Sequence, residues 1–161
     1  MQADTRAFIR LVKHPFKFSF YLLANIPSAF FSGVHIREIS EEACTVTIPF
    51  TWFSQNPFRS TYFACLAMAA ELSTGALLME HTYKSRPSVS ILVTRMEASF
   101  YKKATGTTRF VCADGMQIRE AIADAVKSRQ AGTITALSTG RNKTGETVAE
   151  FRVTWSFKAR N

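Results

Sequence analysis

One long apolar stretch constrains the fold of this chain more than any other feature. It runs from Asn56 to Met79, opens with a turn-forming Asn-Pro pair, and continues as a helical run. From Ser60 onward, Glu71 is its only side chain that is charged at neutral pH. A helix that is apolar on nearly every side belongs inside a protein, surrounded by other elements. Because a carboxylate is costly to bury unless it is paired, protonated or used, Glu71 is the first candidate for a functional residue.

The hydrophobic pattern predicts strands on both sides of this helix. Before it, apolar and polar residues alternate from Val34 to Phe50, which predicts a hairpin or a kinked strand that turns at residues 40–42. After it come a strand at 88–102, a strand at 105–113 that returns from it, a surface helix, and a final hairpin joined by Asn142-Lys143-Thr144-Gly145. The fold class is therefore α+β, an antiparallel sheet wrapped around one long central helix. We expect residues 1–161 to form a single domain.

The surface helix carries its own boundary residues. Asp114, with Gln117 three positions on, matches the capping-box pattern and is expected to cap the helix, and Gly132 to end it. Ile118, Ile122 and Val126 recur every four residues, which predicts one buried side and one exposed side.

The N-terminal segment, residues 1–33, is rich in aromatic and basic residues. It predicts two short helices, over about 4–13 and 15–25, with Pro27 stopping the second. A secretory leader is disfavoured, because Lys17 and two prolines interrupt the apolar run. Two interpretations stay open: helices that pack on the domain, which we favour, and an amphipathic segment that lies on a membrane surface.

Composition excludes several classes of function. The net charge of +8, from 20 Lys+Arg against 12 Asp+Glu, favours anionic partners. The basic residues are scattered, however, without the clusters and interleaved aromatics that nucleic-acid-binding proteins use, so we expect no nucleic-acid partner. No apolar run reaches the length that a membrane span needs, so we also expect no stable membrane association.

The spacing of the histidines and cysteines gives no support for metal binding or for redox chemistry. The histidines have no carboxylate or cysteine at ligand spacing, which argues against a metal site. Cys44, Cys65 and Cys112 are far apart and form no Cys-x-x-Cys pair, so a reducing, cytoplasmic setting fits best. Of the three, only Cys112 is a candidate for an exposed thiol.

Two interpretations of Glu71 follow from its helical neighbours. Ala64, Ala67 and Gly75 lie on its side of the helix and are small. They either leave a pocket beside a carboxylate whose basicity burial has tuned, or they allow tight helix-on-sheet packing while Glu71 pairs with Arg95 or Arg59. The residues alone favour the second interpretation.

The spacing around this helix resembles that of a known enzyme family. Asn56 is followed by the aromatic Tyr62 six positions on and by the acid Glu71 nine positions further. With a sheet wrapped around one helix, this pattern resembles the hotdog-fold thioesterases of the phenylacetate-pathway and 4-hydroxybenzoyl-CoA type. It is most similar to the group known only as domain of unknown function 4442. The resemblance covers residues 34–157, and its specific part is residues 52–75.

The resemblance implies a reaction and a site. In such enzymes an asparagine precedes a His-Gly-Gly-like turn, and an acid further along the helix acts as base or nucleophile. By position, Asn56 matches the asparagine, Tyr62 the histidine, Phe63 and Ala64 the two glycines, and Glu71 the acid. The implied activity is hydrolysis of an acyl-CoA thioester. The backbone amide of Phe63 would polarise the carbonyl, Glu71 would activate water or attack directly, and Asn56 would position water or substrate.

The resemblance also implies partners and an alternative. Hotdog enzymes place this site at a dimer interface, which implies a homodimer or homotetramer, and they need no cofactor beyond the CoA of the substrate. A hotdog-fold hydratase is disfavoured, because its paired Asp and His are missing. The bulk at Phe63 and Ala64 leaves a non-catalytic acyl- or CoA-binding hotdog protein as the alternative. Substrate contacts are expected from Tyr62, Ala64, Ala67, Lys84 and Arg86, with Lys102 and Lys103 as further candidates for the CoA phosphates.

Overall fold

The computed structural model describes residues 4–160 of the chain. Five helices are present: α1 Thr5–Lys13, α2 Pro15–Asn25, α3 Pro27–Phe31, α4 Phe63–Thr82 and α5 Gly115–Ser128. Six strands are present: β1 His35–Ile39, β2 Cys44–Ile48, β3 Val89–Phe100, β4 Thr108–Cys112, β5 Gly132–Arg141 and β6 Thr147–Ala159. A short 3-10 turn, Trp52–Ser54, lies between β2 and α4.

All six strands form one antiparallel sheet in the order β1-β2-β4-β5-β6-β3. The prediction that the second strand after α4 returns along the first is wrong, because β4 pairs with β2 and β5. The β5–β6 hairpin separates β3 from β4, and β6 pairs with β3 from Val89↔Ala159 to Phe100↔Ala149. β3 is therefore an edge strand, and its outer edge has no neighbour in the described part of the chain.

The central helix α4 packs against β2, β4, β5 and β6, as its composition predicts. Two of its buried polar side chains are bonded to nearby groups: the hydroxyl of Ser73 lies 2.7 Å from that of Ser138 on β5, and Thr74 donates to the carbonyl of Glu71. By length and composition α4 would also qualify as a membrane span, which corrects our statement that no run is long enough. Most of it is buried inside the protein, however, and the core helix of a soluble protein passes the same test.

The N-terminal helices begin where the sequence predicts, with one addition. Pro27 ends α2 but also occupies the first position of a third helix, α3, where its missing N–H costs nothing. Asp4 caps α1 by accepting from the amide of Ala7, and its own amide donates to the carbonyl of Tyr83 at 2.9 Å. Phe8 and Val12 are buried, and α1 contacts α4 and β1. Residues 1–3 and 161 of the predicted domain lie outside the described residues.

Asp114 occupies the capping position of α5 as predicted, but its side chain forms no cap. The expectations that Gly132 ends α5 and that Cys112 is an exposed thiol are wrong. The carboxylate of Asp114 does not cap α5; it accepts at 2.7 Å from the amide of Leu137, 23 residues later, so a tertiary bond has replaced the local one. The helix ends at Ser128 because Arg129 turns into the left-handed region at φ 57°. Cys112 is buried, and it lies opposite Cys44 on the neighbouring strand β2; both thiols are free.

Candidate active site

The segment before α4 is held in place by a buried serine. The Ser54 hydroxyl donates to the carbonyl of Pro49 at 2.7 Å, and the Ser54 carbonyl accepts from the amide of Tyr62 at 2.7 Å. These bonds join the end of β2 to the residue that precedes the helix. The start of α4 is therefore fixed relative to the sheet, as a site built on backbone groups requires.

Asn56 organises the turn between Ser54 and the helix. Its side-chain oxygen Oδ1 accepts from the amides of Phe58 and Ser60 at 3.0 and 3.2 Å and from the Ser60 hydroxyl at 3.3 Å. An asparagine side chain that takes the place of a backbone carbonyl is a common way to stabilise a tight turn. Because Oδ1 is occupied, the Nδ2 amide group is the part of Asn56 that remains for a ligand.

The N-terminus of α4 has free amides and no side-chain cap. Tyr62 occupies the capping position without a side-chain hydrogen bond, and the first turn contains no acidic residue. The amides of Cys65 and Leu66 both donate to the carbonyl of Tyr62, at 2.9 and 3.2 Å. Among residues 4–160, the amides of Phe63 and Ala64 have no acceptor. Free amides at the positive end of a 20-residue helix dipole form a suitable site for an anion or a developing oxyanion.

A pocket of about 600 Å³ lies at this helix end. Its walls come from the turn that Asn56 organises, the first residues of α4 and the segment after β3. The Thr61 amide and hydroxyl both bond the carbonyl of Ala104, at 2.8 and 3.1 Å, and so hold that segment against the helix. Aromatic side chains form a large part of the lining, with two lysines at the rim. The lining includes Asn56, Tyr62, Phe63, Tyr101, Lys102 and Lys103.

Glu71 lies outside this pocket within its own chain. It follows Phe63 by eight residues, a rise of about 12 Å along a helix, and it does not line the pocket. Its carboxylate is half-buried, and burial raises its pKa. The alternative of an ion pair is contradicted: in residues 4–160 Glu71 forms no salt bridge, and Arg95 pairs instead with Glu97 at 2.6 Å.

The surroundings of Glu71 are apolar and tightly packed on one side. A Cβ atom on Gly75 would lie 3.2 Å from the Trp155 ring and 3.4 Å from Oε1 of Glu71, so the glycine makes room for both. Trp155 is fixed in turn, because its Nε1 donates to the Thr74 hydroxyl at 3.0 Å. The carboxylate therefore lies beside a rigid indole, with no donor from the described residues to stabilise its charge.

Residues 17–157 match the family model described as domain of unknown function DUF4442. The chain belongs to this family. Comparison with curated proteins finds no match.

Several solved structures share the fold. PA5026 from Pseudomonas aeruginosa, a protein of unknown function and probable thioesterase, is 20% identical, with a TM-score of 0.73 over 99% of each chain. The PaaI protein of E. coli, from the phenylacetic acid degradation operon, is 15% identical, with a TM-score of 0.63 over 94% of this chain and 96% of its own. Thioesterase HI1161 from Haemophilus influenzae is 12% identical, with a TM-score of 0.59 over 86% and 87%. The hotdog fold predicted from the sequence is thereby confirmed.

In this family member the other predicted site residues fall into two groups. Ala64 and Ala67 are half-exposed and lie near the start of α4. Lys84 and Arg86 follow the far end of the 20-residue helix, about 30 Å away along its axis, and do not line the pocket of their own chain. Their contact with substrate stays a prediction. Lys102 and Lys103 do lie at the rim, where Lys102 pairs with Glu146 at 2.6 Å.

Sequence reasoning overlooked a second glutamate of α4. Glu80 is 0% exposed, and neither carboxylate oxygen has a hydrogen-bond partner in the described structure. Burial, followed by the charge of Glu41, raises its pKa to about 7. The next residue, His81, is also buried and its Nε2 lies 3.1 Å from the carbonyl of Gly115. The apolar run would have included Glu80 had it been extended by one residue. Within residues 4–160 no cluster of acids, histidines and cysteines is suited to a metal.

Proposed function

We propose that this protein is a cytoplasmic acyl-CoA thioesterase that hydrolyses the thioester of an acyl- or aryl-CoA. The observation that carries the proposal is the open end of α4. There the amides of Phe63 and Ala64 are free, and Asn56 and Phe63 line one pocket that is large enough for part of a substrate. The thioesterase names of structures with the same fold give further support.

The chemistry assigned to this end of the helix is stabilisation of an oxyanion. The thioester carbonyl would accept from the amide of Phe63, so that the negative charge of the tetrahedral intermediate develops at the helix N-terminus. This interaction uses a backbone group, and it therefore survives the presence of Phe63 and Ala64 at the positions that match the two glycines of the hotdog thioesterases that this chain resembles. Nδ2 of Asn56 would hold the carbonyl or the attacking water.

Glu71 supplies the base or nucleophile. As a base it would take a proton from water while the water oxygen attacks the thioester carbon; the carbon–sulfur bond then breaks, and the thiolate of CoA takes up the proton. A carboxylate whose pKa is raised by burial is a stronger base than an exposed one. Direct attack by the carboxylate, followed by hydrolysis of the anhydride, uses the same residue.

A second subunit would bring these groups together. One side of α4 that includes Ala64, Ala67, Met68 and Glu71 is only half-buried in a single chain. β3 is a 12-residue edge strand with an outer edge that has no neighbour in the described chain, and such long edges are usually covered. Pairing of two copies along β3 would cover the edge and place Glu71 of the partner subunit against the pocket. We therefore propose a homodimer, or a tetramer built from two such dimers.

Each part of the substrate is assigned to the pocket residues whose chemistry suits it. The aromatic lining suits an apolar acyl group, and Lys103, with no carboxylate partner in the described residues, would meet the CoA phosphates. PaaI belongs to a phenylacetic acid degradation operon, which places aryl-CoA thioesters among the first substrates to test.

Release of free thiol from a panel of short, aromatic and long-chain acyl-CoA thioesters tests the activity. We expect turnover of at least one class. Retention of a CoA ligand without turnover would favour the non-catalytic alternative, which the bulk at Phe63 and Ala64 supports. A panel with neither turnover nor ligand binding would refute both functions.

Mixing two inactive variants tests the shared site. Glu71→Gln and Asn56→Ala each remove one side of every site. If the sites combine residues of two subunits, unfolding and refolding an equal mixture restores about a quarter of the wild-type activity, because half of the dimers are mixed and each has one intact site. If both residues act from the same chain, the mixture stays as inactive as the variants.

A further inference from the structure

The exposed side of α2 is apolar, although it faces solvent. The helix buries Phe18 and Leu22 against the domain. On the opposite side Phe16 is 82% exposed, Phe20 71% and Leu23 38%. At 100° per residue these three side chains lie within one narrow arc of the helix. A surface helix normally presents polar residues there, so an apolar arc indicates a surface that contacts something other than water.

Positive charge lies beside this arc, and the segment that carries the arc contains no negative charge. No acidic residue occurs between Asp4 and Glu38 in the sequence. A groove of about 550 Å³ lies between α1, α2 and the chain after α4, lined by Arg10, His14, Lys17 and Lys84 among others. None of these four side chains forms a salt bridge with the described residues. Lys17 belongs to both features, since it lines the groove and lies next to Phe16 on α2.

We propose that α2 and this groove bind the surface of an anionic phospholipid bilayer. Phe16, Phe20 and Leu23, here called the α2 apolar arc, would enter the interface between headgroups and acyl chains. Arg10, Lys17 and Lys84 would meet the lipid phosphates and carboxylates. A short helix with aromatic anchors and flanking cations is suited to binding of this kind. The association is peripheral and reversible, and it does not depend on the proposed thioesterase activity.

Charge also argues against a second copy of the chain as the occupant. A two-fold contact through α2 would place the same surface on both sides of the interface. It would bring Arg10 and Lys17 of each copy towards those of the other, with no acidic residue in the segment to compensate. An anionic bilayer has the charge that this surface lacks.

Co-sedimentation of the full chain with vesicles tests the proposal. The vesicles are phosphatidylcholine alone, or phosphatidylcholine with about one third phosphatidylserine. We expect binding to the anionic vesicles only. Phe16→Ser with Phe20→Ser should weaken it about tenfold or more, and Arg10→Glu with Lys17→Glu should weaken it by a similar factor. The control Lys127→Glu with Lys143→Glu makes the same change in net charge at exposed positions elsewhere and should have little effect.

Three outcomes would overturn the proposal. The first is that the wild type binds both kinds of vesicle equally or binds neither. The second is that Lys127→Glu with Lys143→Glu weakens binding as much as Arg10→Glu with Lys17→Glu. The third is that the phenylalanine variant and the Arg10/Lys17 variant both bind as well as the wild type. Sedimentation velocity distinguishes the competing occupant: if Phe16→Ser with Phe20→Ser dissociates an oligomer and leaves vesicle binding unchanged, the arc is a contact between copies. The charge variant keeps the test decisive if the phenylalanine variant fails to fold.

Discussion

Two glutamates of the central helix, nine residues apart, show how position divides the same chemistry into different roles. The carboxylates of Glu71 and Glu80 both lack a hydrogen-bond partner in the described residues, and burial raises the pKa of both. Glu71 is half-buried, on a side of α4 that the single chain leaves partly open. Glu80 is fully buried, near Glu41 and Cys44.

The difference between them is access. A base must exchange its proton with a bound substrate, so a raised pKa is useful only where a substrate can approach. Glu71 meets this condition if a second subunit completes the site around it. Glu80 does not, and its unpartnered oxygens represent a cost to folding that depends on pH. A raised pKa alone would have given both residues equal standing as catalytic candidates.

The largest expected effect separates the two residues by activity. Glu71→Gln keeps the shape and removes the base, so we expect thiol release to fall by roughly a hundredfold to a thousandfold. Glu80→Gln, measured in the same assay, should change it less than about twofold, because no substrate reaches this position. Circular dichroism of both variants checks that the fold is retained. Equal losses in the two variants would mean that Glu71 has no special role.

The second effect separates them by the pH dependence of stability. The folded pKa of Glu80, about 7, lies above the 4.5 of an ordinary glutamate, so the folded state binds this proton more tightly. The contribution of Glu80 to stability is then fully present below pH 4.5 and falls by about 3 kcal/mol as the pH rises through 7. Glu80→Gln should remove this fall. Urea unfolding at several pH values between 4.5 and 8 measures it.

Neighbouring groups are accounted for by difference. His81 is buried and its pKa is lowered, so its protonation destabilises the protein as the pH falls, opposite to the effect of Glu80. Because His81 and Glu41 are present in the wild type and in Glu80→Gln alike, the difference between the two curves isolates Glu80. A variant curve parallel to that of the wild type would show that Glu80 is not protonated on folding.

The central helix and most strands could be predicted because their determinants are local. An apolar run, a period of two and a turn-forming Asn-Lys-Thr-Gly segment each act over a few residues. The choice of neighbouring strands depends on residues that are far apart in sequence. β3 and β4 follow each other in the chain, yet β3 pairs with the long strand β6 and not with β4. Asp114 illustrates the same limit, since its sequence context matches a cap while its carboxylate bonds Leu137, 23 residues away.

The candidate site was predictable where it consists of one segment. The positions of Asn56 and Phe63 relative to the helix start follow from spacing, and the structure places both at one pocket. The lack of an arginine partner for Glu71 in residues 4–160 was not predictable, because the sequence position of an arginine does not show which carboxylate it contacts. Arg95 lies beside Glu97 on an exposed strand and pairs there. Lys84 and Arg86 were predicted substrate contacts because they follow α4 in sequence. They lie at the end of α4 that is far from the pocket.

The third effect, on stability, tests the hydrogen bond that fixes Trp155 beside Glu71. Thr74→Val removes the hydroxyl that accepts from Nε1 of Trp155 and leaves a buried donor unpaired. We expect a loss of about 1–2 kcal/mol in the free energy of unfolding, with little change in the pH dependence that Glu80 causes. Thr74→Ser keeps the hydroxyl and is the matched control. Chemical denaturation measures both. Because valine keeps the methyl group that serine lacks, an unchanged stability in Thr74→Val would show that the hydrogen bond to Trp155 does not stabilise the fold.

The smallest effect comes from Glu146, whose carboxylate is exposed and hydrogen-bonded, unlike the two carboxylates on α4. Hydrogen bonds from Lys102, Asn142 and Thr144 lower the pKa of the exposed Glu146 to about 2. Its stabilising contribution is therefore present above pH 4.5 and lost as the pH falls towards 2. Because the pair is exposed and screened by salt, Glu146→Gln should lower the melting temperature by only about one or two degrees at pH 7.

Ionic strength and a second ion pair provide the control for this effect. The difference should shrink further in about 1 M salt, where the screening length is only about 3 Å. Glu97→Gln breaks the similarly exposed pair with Arg95 and should have a comparably small effect. A drop of more than about five degrees in Glu146→Gln would show that the hairpin depends on this carboxylate, and that exposure is a poor guide to what a glutamate contributes in this fold.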